Sequence, residues 1–146
     1  MRFQKLQNAI DSGFLKPALC RFSEPPAEAE VLALSAQRPW PLSAAHVDLL
    51  HRWGGSSLDE IRIASLDAVR AGSDDHTVQF ASDYGGFVYR YDKSGAVQQE
   101  DTDGGETRIV AASMTAFFDD VLLGDQCLAH FGEAWLSALR EHGLAT

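Results

Sequence analysis

The side chains in this sequence that could carry chemistry are five histidines, two cysteines and several adjacent carboxylates. Their spacing gives them little to do together. His46 and His51 lie five apart on an expected helix, so they project about 140° from one another rather than onto one face. A zinc-binding helix instead spaces two histidines by four, with a glutamate between them. His76, His130 and His142 stand alone in loops or near helix ends. Each of the five reads as a solvated surface histidine. Cys20 and Cys127 are far apart, outside any CxxC spacing and without suitably spaced histidines to complete a zinc site. They read as buried free thiols, with a long-range disulfide or a reactive thiol as alternatives.

The loops offer equally little. Asp101-Thr102-Asp103-Gly104-Gly105-Glu106 superficially suggests a calcium loop. Counted from Asp101, however, the sixth position is Glu106 rather than glycine and the twelfth is Ala112 rather than glutamate. Gly54-Gly55-Ser56-Ser57 follows a helix and lacks the lysine and preceding strand of a phosphate loop, so it reads as a C-cap turn and loop. The pairs Asp74-Asp75, Glu100-Asp101 and Asp119-Asp120 lie in polar stretches or on a helix surface, away from any apolar pocket that would split their pKa values. No catalytic residue, metal site or cofactor is expected.

The elements that must position these residues can be read from spacing. Phe3, Leu6 and Ile10 have helical spacing before Gly13 and Pro17 stop it, giving a lead-in over residues 1–22. Ser23-Glu24-Pro25-Pro26 opens a second helix, which carries Val31, Leu32 and Leu34. Ser43 caps the clearest helix, Ala44 to Trp53, whose expected apolar face is Val47, Leu50 and Trp53 with Leu49 beside them, ended by Gly54. Trp53 reads as a core residue, whereas Trp40 sits between prolines and reads as partly exposed.

Ile61 and Ile63 form a short strand, and Ser65 to Arg70 one or two helical turns. A β-meander follows: Val78 and Phe80 alternate, Asp83-Tyr84-Gly85-Gly86 turns, and Phe87, Tyr89 and Tyr91 share one strand face. Asp92-Lys93-Ser94-Gly95 turns again, before strands near Ala96–Gln99 and Arg108–Ala111. Two helices close the chain, the first capped by Ser113 and burying Phe117, Phe118, Val121 and Leu122, the second carrying Trp135, Leu136 and Leu139. The expected fold class is α+β: a single domain over residues 23–146, with a largely antiparallel β-sheet and helices before and after it.

Composition bounds the partners. The 146 residues suit one domain, and 45% hydrophobic content can bury a core. Twelve lysines and arginines against twenty-one aspartates and glutamates leave a net charge of −9. That argues against nucleic-acid binding and a polybasic membrane anchor, and permits a basic protein partner. No apolar stretch is long enough to span a membrane, and the first ten residues lack a secretory signal's apolar run, so a cytoplasmic location is expected. Asp83, Asp92, Glu100, Asp101, Asp103 and Glu106 all fall in or beside the meander loops. If those loops gather at one sheet edge they form a negative rim near Tyr84 and Tyr91, where aromatics anchor and charges steer. The alternative is that the tyrosines pack on the sheet and the acids keep it soluble.

The order of motifs resembles a known family. Pro41-Leu42-Ser43 leads into Val47-Asp48-Leu49-Leu50-His51-Arg52-Trp53-Gly54-Gly55. Ile61-Arg62-Ile63 and Ser65-Leu66-Asp67-Ala68-Val69 follow, then Val78-Gln79-Phe80-Ala81. Asp83-Tyr84-Gly85-Gly86-Phe87-Val88-Tyr89-Arg90-Tyr91-Asp92 comes next, and Ile109-Val110-Ala111-Ala112-Ser113 opens into Phe117-Phe118. Over roughly Pro25 to Leu123 this is similar to the SUKH superfamily, which includes the yeast cell-wall regulators of the Smi/Knr type.

The resemblance implies a SUKH-like α+β fold and, for bacterial members, immunity proteins that bind and neutralise a cognate toxin such as a nuclease or deaminase. It places partner contacts at Trp53, Gly54, Asp83, Gly85, Gly86, Tyr89, Tyr91 and Asp92. Two departures stand out: Trp53-Gly54 replaces the family's asparagine-glycine, and residues 1–22 have no counterpart. With the acidic loops added, the expected partner-binding residues are Trp53, Asp83, Tyr84, Tyr89, Tyr91, Asp92, Glu100, Asp101 and Asp103. The expected partner is a basic toxin domain, met by a monomer or weak homodimer that is not an enzyme. The alternative is a regulatory binding module of the same fold without a toxin.

Overall fold

Small polar residues and glycines punctuate the chain. Ser43 Oγ accepts from the His46 N–H at 3.1 Å to start a helix, and Gly54, at φ 61°, ends it. Ser65 and Ser113 cap later helices in the same way, accepting from Ala68 and Ala116 N–H. In this computed structural model, which describes residues 2–15, 20–58 and 61–145, the helices are α1 (Gln4–Asp11), α2 (Glu28–Ala36), α3 (Ala44–Trp53), α4 (Leu66–Gly72), α5 (Met114–Ala116), α6 (Leu128–Phe131) and α7 (Glu133–Glu141). From α5 the chain widens into a π-helical segment, Phe117–Leu122.

Among the described residues, seven strands form one antiparallel sheet in sequence order. They are β1 (Cys20–Phe22), β2 (Ser56–Leu58), β3 (Ile61–Ile63), β4 (Thr77–Asp83), β5 (Phe87–Asp92), β6 (Val97–Asp101) and β7 (Thr107–Ala111). The protein is therefore α+β, with helices before and after a sheet. Ser56 and Ser57, expected in a loop, are in β2: the pairing of Ser56 with Phe22 and Ile63 supplies what local sequence does not. A bulge between Gln79 and Ala81 of β4 lets the consecutive residues Phe80 and Ala81 both be buried.

Period-2 alternation decides the sheet's inner face. Val78 and Phe80 of β4, Tyr89 and Tyr91 of β5, and Val97 and Gln99 of β6 are all buried. The π-helical segment packs on this face, with the Phe117 ring 4.9 Å from Tyr89 and 5.5 Å from Phe80. The Trp135 indole of α7 donates to Leu122 O at 2.7 Å, tying the last helix to that segment. The lead-in shares the same core: Phe3, Leu6, Ala9, Phe14 and Leu15 are buried in it, and β1 joins the sheet. Phe3 has a left-handed backbone, φ 61°, and its ring meets Trp53 and Phe118 edge-on at 6.2 and 5.4 Å.

The buried face of α3 is displaced from the expected one. It carries His46, Leu49 and Leu50, so His46 is a core residue rather than a solvated one. Its Nδ1 lies 2.8 Å from the Tyr91 hydroxyl, and burial, reinforced by the Arg38 charge, pulls its pKa down to about 3. Burial likewise pushes the Tyr91 hydroxyl up to about 12. Cys127 is a buried free thiol with a raised pKa, whereas the side chain of Cys20 lies outside the described residues. Among the described residues no helix is long and apolar enough to cross a membrane.

Candidate partner-binding surface

In an antiparallel meander successive turns alternate between the two ends of the sheet. The β4–β5 turn and the β6–β7 loop therefore meet at one end, and the β5–β6 turn lies at the other. At the shared end Asp83 organises the first turn. Its Oδ1 accepts from Gly85 and Phe87 N–H at 2.8 and 3.1 Å, and its Oδ2 accepts from the Tyr89 hydroxyl at 2.8 Å. Asp101 does the same for the second loop, accepting from Asp103 N–H through Oδ1, while its own N–H donates to Glu106 O. Thr102 joins the two, donating from both its N–H and its Oγ1 to Gly86 O at 3.0 and 2.6 Å.

The joined loops present an aromatic ring and two free acids. Tyr84 is 59% exposed, its hydroxyl paired with Ser57 Oγ and its ring under the Arg62 guanidinium at 5.0 Å. The exposed carboxylates of Asp103 and Glu106 have no hydrogen-bond or ionic partner among the described residues. Beside them a cleft of about 540 Å³ opens between Phe87, Gln99, Asp101, Glu106, Thr107 and Arg108.

A chain of hydrogen bonds runs beneath the cleft. Gln99 Nε2 donates to the Tyr89 hydroxyl at 3.1 Å, Arg108 Nε donates to Gln99 Oε1 at 2.9 Å, and Arg108 Nη2 lies 3.1 Å from His130 Nδ1. Burial holds the Tyr89 hydroxyl above its ordinary pKa. His130 is lowered by burial and then by the Arg108 charge, which fits a neutral ring accepting from the guanidinium. Carboxylates around an apolar ring and a fixed guanidinium can receive a cationic side chain and orient it.

Of the expected site residues, this end brings together Asp83, Tyr84, Asp101 and Asp103, with Glu106. Glu100 stands on the outer sheet face, ion-paired with Arg90 at 3.4 Å. Asp92 is at the opposite end, where its Oδ1 caps the turn by accepting from Ser94 N–H. Tyr89 and Tyr91 are buried, because the face they share with Phe87 is the core face, so neither offers its ring to a partner. Trp53 is half-buried at the end of α3, between Phe3 and the Arg52 guanidinium at 4.1 Å, and none of its ring contacts among the described residues is with the acidic loops. Thr102, Gln99 and Arg108 escape the sequence reading. Gln99 had a signal: a polar residue two positions after Val97 on a buried face implies a partner for its amide.

Among the described residues no group of three or more histidines, cysteines or carboxylates is placed to hold a metal ion. Compared with protein-family models, curated proteins and solved structures, the chain matches none of them.

Proposed function

We propose that this protein is a cytoplasmic immunity protein of the SUKH type, which neutralises a basic toxin domain of the nuclease or deaminase kind by covering its active site. The observation that carries this reading is the pair of loops latched by Thr102, which holds Asp103 and Glu106 unpaired at the same end of the sheet as exposed Tyr84. Carboxylates already spent on their own chain gain nothing from a partner, but these are free to pair. Their scaffold is ordered by backbone hydrogen bonds, so little entropy is lost when they do. The net charge of −9 adds long-range attraction toward a positive active-site groove. Motif order across Pro25 to Leu123 supports the same reading.

The test is growth rescue. The toxic domain encoded beside this gene is expressed with and without the protein, and survivors are counted. Rescue by the wild type is expected, as is a fall of about tenfold or more in association rate, with a weaker salt dependence, for Asp103→Lys with Glu106→Lys. Unchanged association in that double variant overturns the acidic surface as the contact. Failure of the folded wild type to rescue overturns the immunity reading and leaves a regulatory binding module.

A further inference from the structure

The strand that follows the acidic loop, β7, is an edge of the sheet, and only its far end is protected, by an irregularity beyond Ile109. Thr107-Arg108-Ile109-Val110-Ala111 contains three β-branched residues and no proline, lysine or glycine. The direction of its free backbone groups follows from register. The Asp101 N–H to Glu106 O bond makes that pair a hydrogen-bonded one, so Glu100–Thr107 is non-bonded, Gln99–Arg108 bonded and Gln98–Ile109 non-bonded. Arg108 thus turns its N–H and C=O toward β6. Thr107 and Ile109 turn theirs outward, where they have no other partner among the described residues. Ile109 is also 68% exposed, the most exposed large apolar residue of those described.

We propose that the outward edge of β7 receives an added strand from a partner protein, a short extended segment alternating basic and apolar residues. For the partner's identity this rests on the immunity reading, and it names the contact by which the toxin would be held. Main-chain bonds to Thr107 and Ile109 supply up to about four hydrogen bonds, and an apolar side chain on the same face covers Ile109. The segment is basic because the unpaired carboxylates of Asp103 and Glu106 stand where β7 begins. A second copy of this chain would bring another −9 to the same edge. The irregularity between Val97 and Gln98 in the β6–β7 register ends the straight run near Val110, which limits the added strand to a few residues.

The probe is a short capped peptide alternating lysine and valine, added to the full-length protein, with amide hydrogen exchange followed by NMR. Exchange at Thr107 and Ile109 should slow about tenfold or more, while Arg108, already bonded to Gln99, changes little. Ile109→Pro removes an outward N–H without touching the β6 ladder, so it should fold and lose the peptide, whereas Ile109→Thr keeps the N–H and binds. Methylating alternate backbone nitrogens of the peptide should abolish binding without altering the protein.

Equal binding by Ile109→Pro, by the methylated peptide or by a glutamate–valine peptide overturns the proposal. So does a wild-type dimer that Ile109→Pro dissolves, because the occupant is then a second copy. Growth rescue separates the two ideas. Full rescue by Ile109→Pro removes the edge as the toxin's seat and leaves immunity standing, whereas failure of the wild type refutes immunity and leaves the peptide result to judge the edge.

Discussion

The two ends of the meander are built from the same parts and use them differently. At the end holding the Asp92 turn, Asp74 and Asp92 are spent on the fold, and Asp75 keeps a free carboxylate among the described residues. Asp74 Oδ1 accepts from His76 N–H, Thr77 N–H and Thr77 Oγ1, and these bonds hold its carboxyl below the usual range. Arg38 and Trp40 cross over from the segment after α2 and donate to the carbonyls of Asp74 and Asp75. At the other end Asp83 and Asp101 fold the loops, which leaves Asp103 and Glu106 with nothing to hold. Acidic content alone therefore does not distinguish a recognition surface from a structural one. What distinguishes them is whether each carboxylate's acceptors are already occupied.

The anchored end also contains the buried His46–Tyr91 pair, and the largest difference between the ends should appear with acid. The unfolded imidazole takes a proton near pH 6.5, as model histidine does, and the folded one only near 3. Folding is therefore favoured fully above about pH 6.5 and less as pH falls through that window, by up to about 1.4 kcal/mol per pH unit. His46→Gln should flatten this part of the profile in urea unfolding at stepped pH. A wild-type profile without any slope between about pH 6 and pH 4 would contradict it.

Next in size is the contrast between two buried tyrosines. Tyr91→Phe leaves the His46 Nδ1 without its partner inside the core and should cost about 1–3 kcal/mol. Tyr89→Phe takes the acceptor from Gln99 Nε2, but Gln99 lines the open cleft, where water can replace it. Asp83 keeps two backbone donors, so this change should cost less, about 1 kcal/mol. Chemical denaturation of both variants checks the order, and the reverse order would break the assignment of anchored and presenting ends. Smallest is a pair of exposed changes. Asp74→Asn should lower stability by about 1 kcal/mol, and Asp103→Asn should stay within about 0.5 kcal/mol of wild type. Affinity for the partner proposed above should respond the other way round, falling for Asp103→Asn and holding for Asp74→Asn.

Much of this architecture is legible in the residues themselves. Ser43, Gly54, Ser65 and Ser113 announce helix boundaries, because a hydroxyl acceptor or a positive φ is a local requirement. The alternation of Val78, Phe80, Tyr89 and Tyr91 announces the meander. Less legible is whatever depends on a distant neighbour. Ser56-Ser57 becomes a strand only because Phe22 and Ile63 flank Ser56 in the ladder. His46 is buried because packing turned α3 by about one residue relative to its most apolar face, a choice made between helix and sheet. The placement of the acidic residues in or beside the meander loops follows from their position between alternating strands. Their distribution between two ends follows from the antiparallel path, and the latch through Thr102 depends on two loops meeting across β5 and β6.

The Phe3 ring, held in a left-handed backbone between Trp53 and Phe118, ties folding to the order of synthesis. The sheet joins neighbours in the chain, so its hairpins can form one after another as they emerge from the ribosome. Phe3 has no such local partner: Trp53 appears a third of the way along, and Phe118 only after the last strand. Docking α1 therefore closes a loop that spans most of the chain, and its entropic cost should make that contact slower to form than the hairpins.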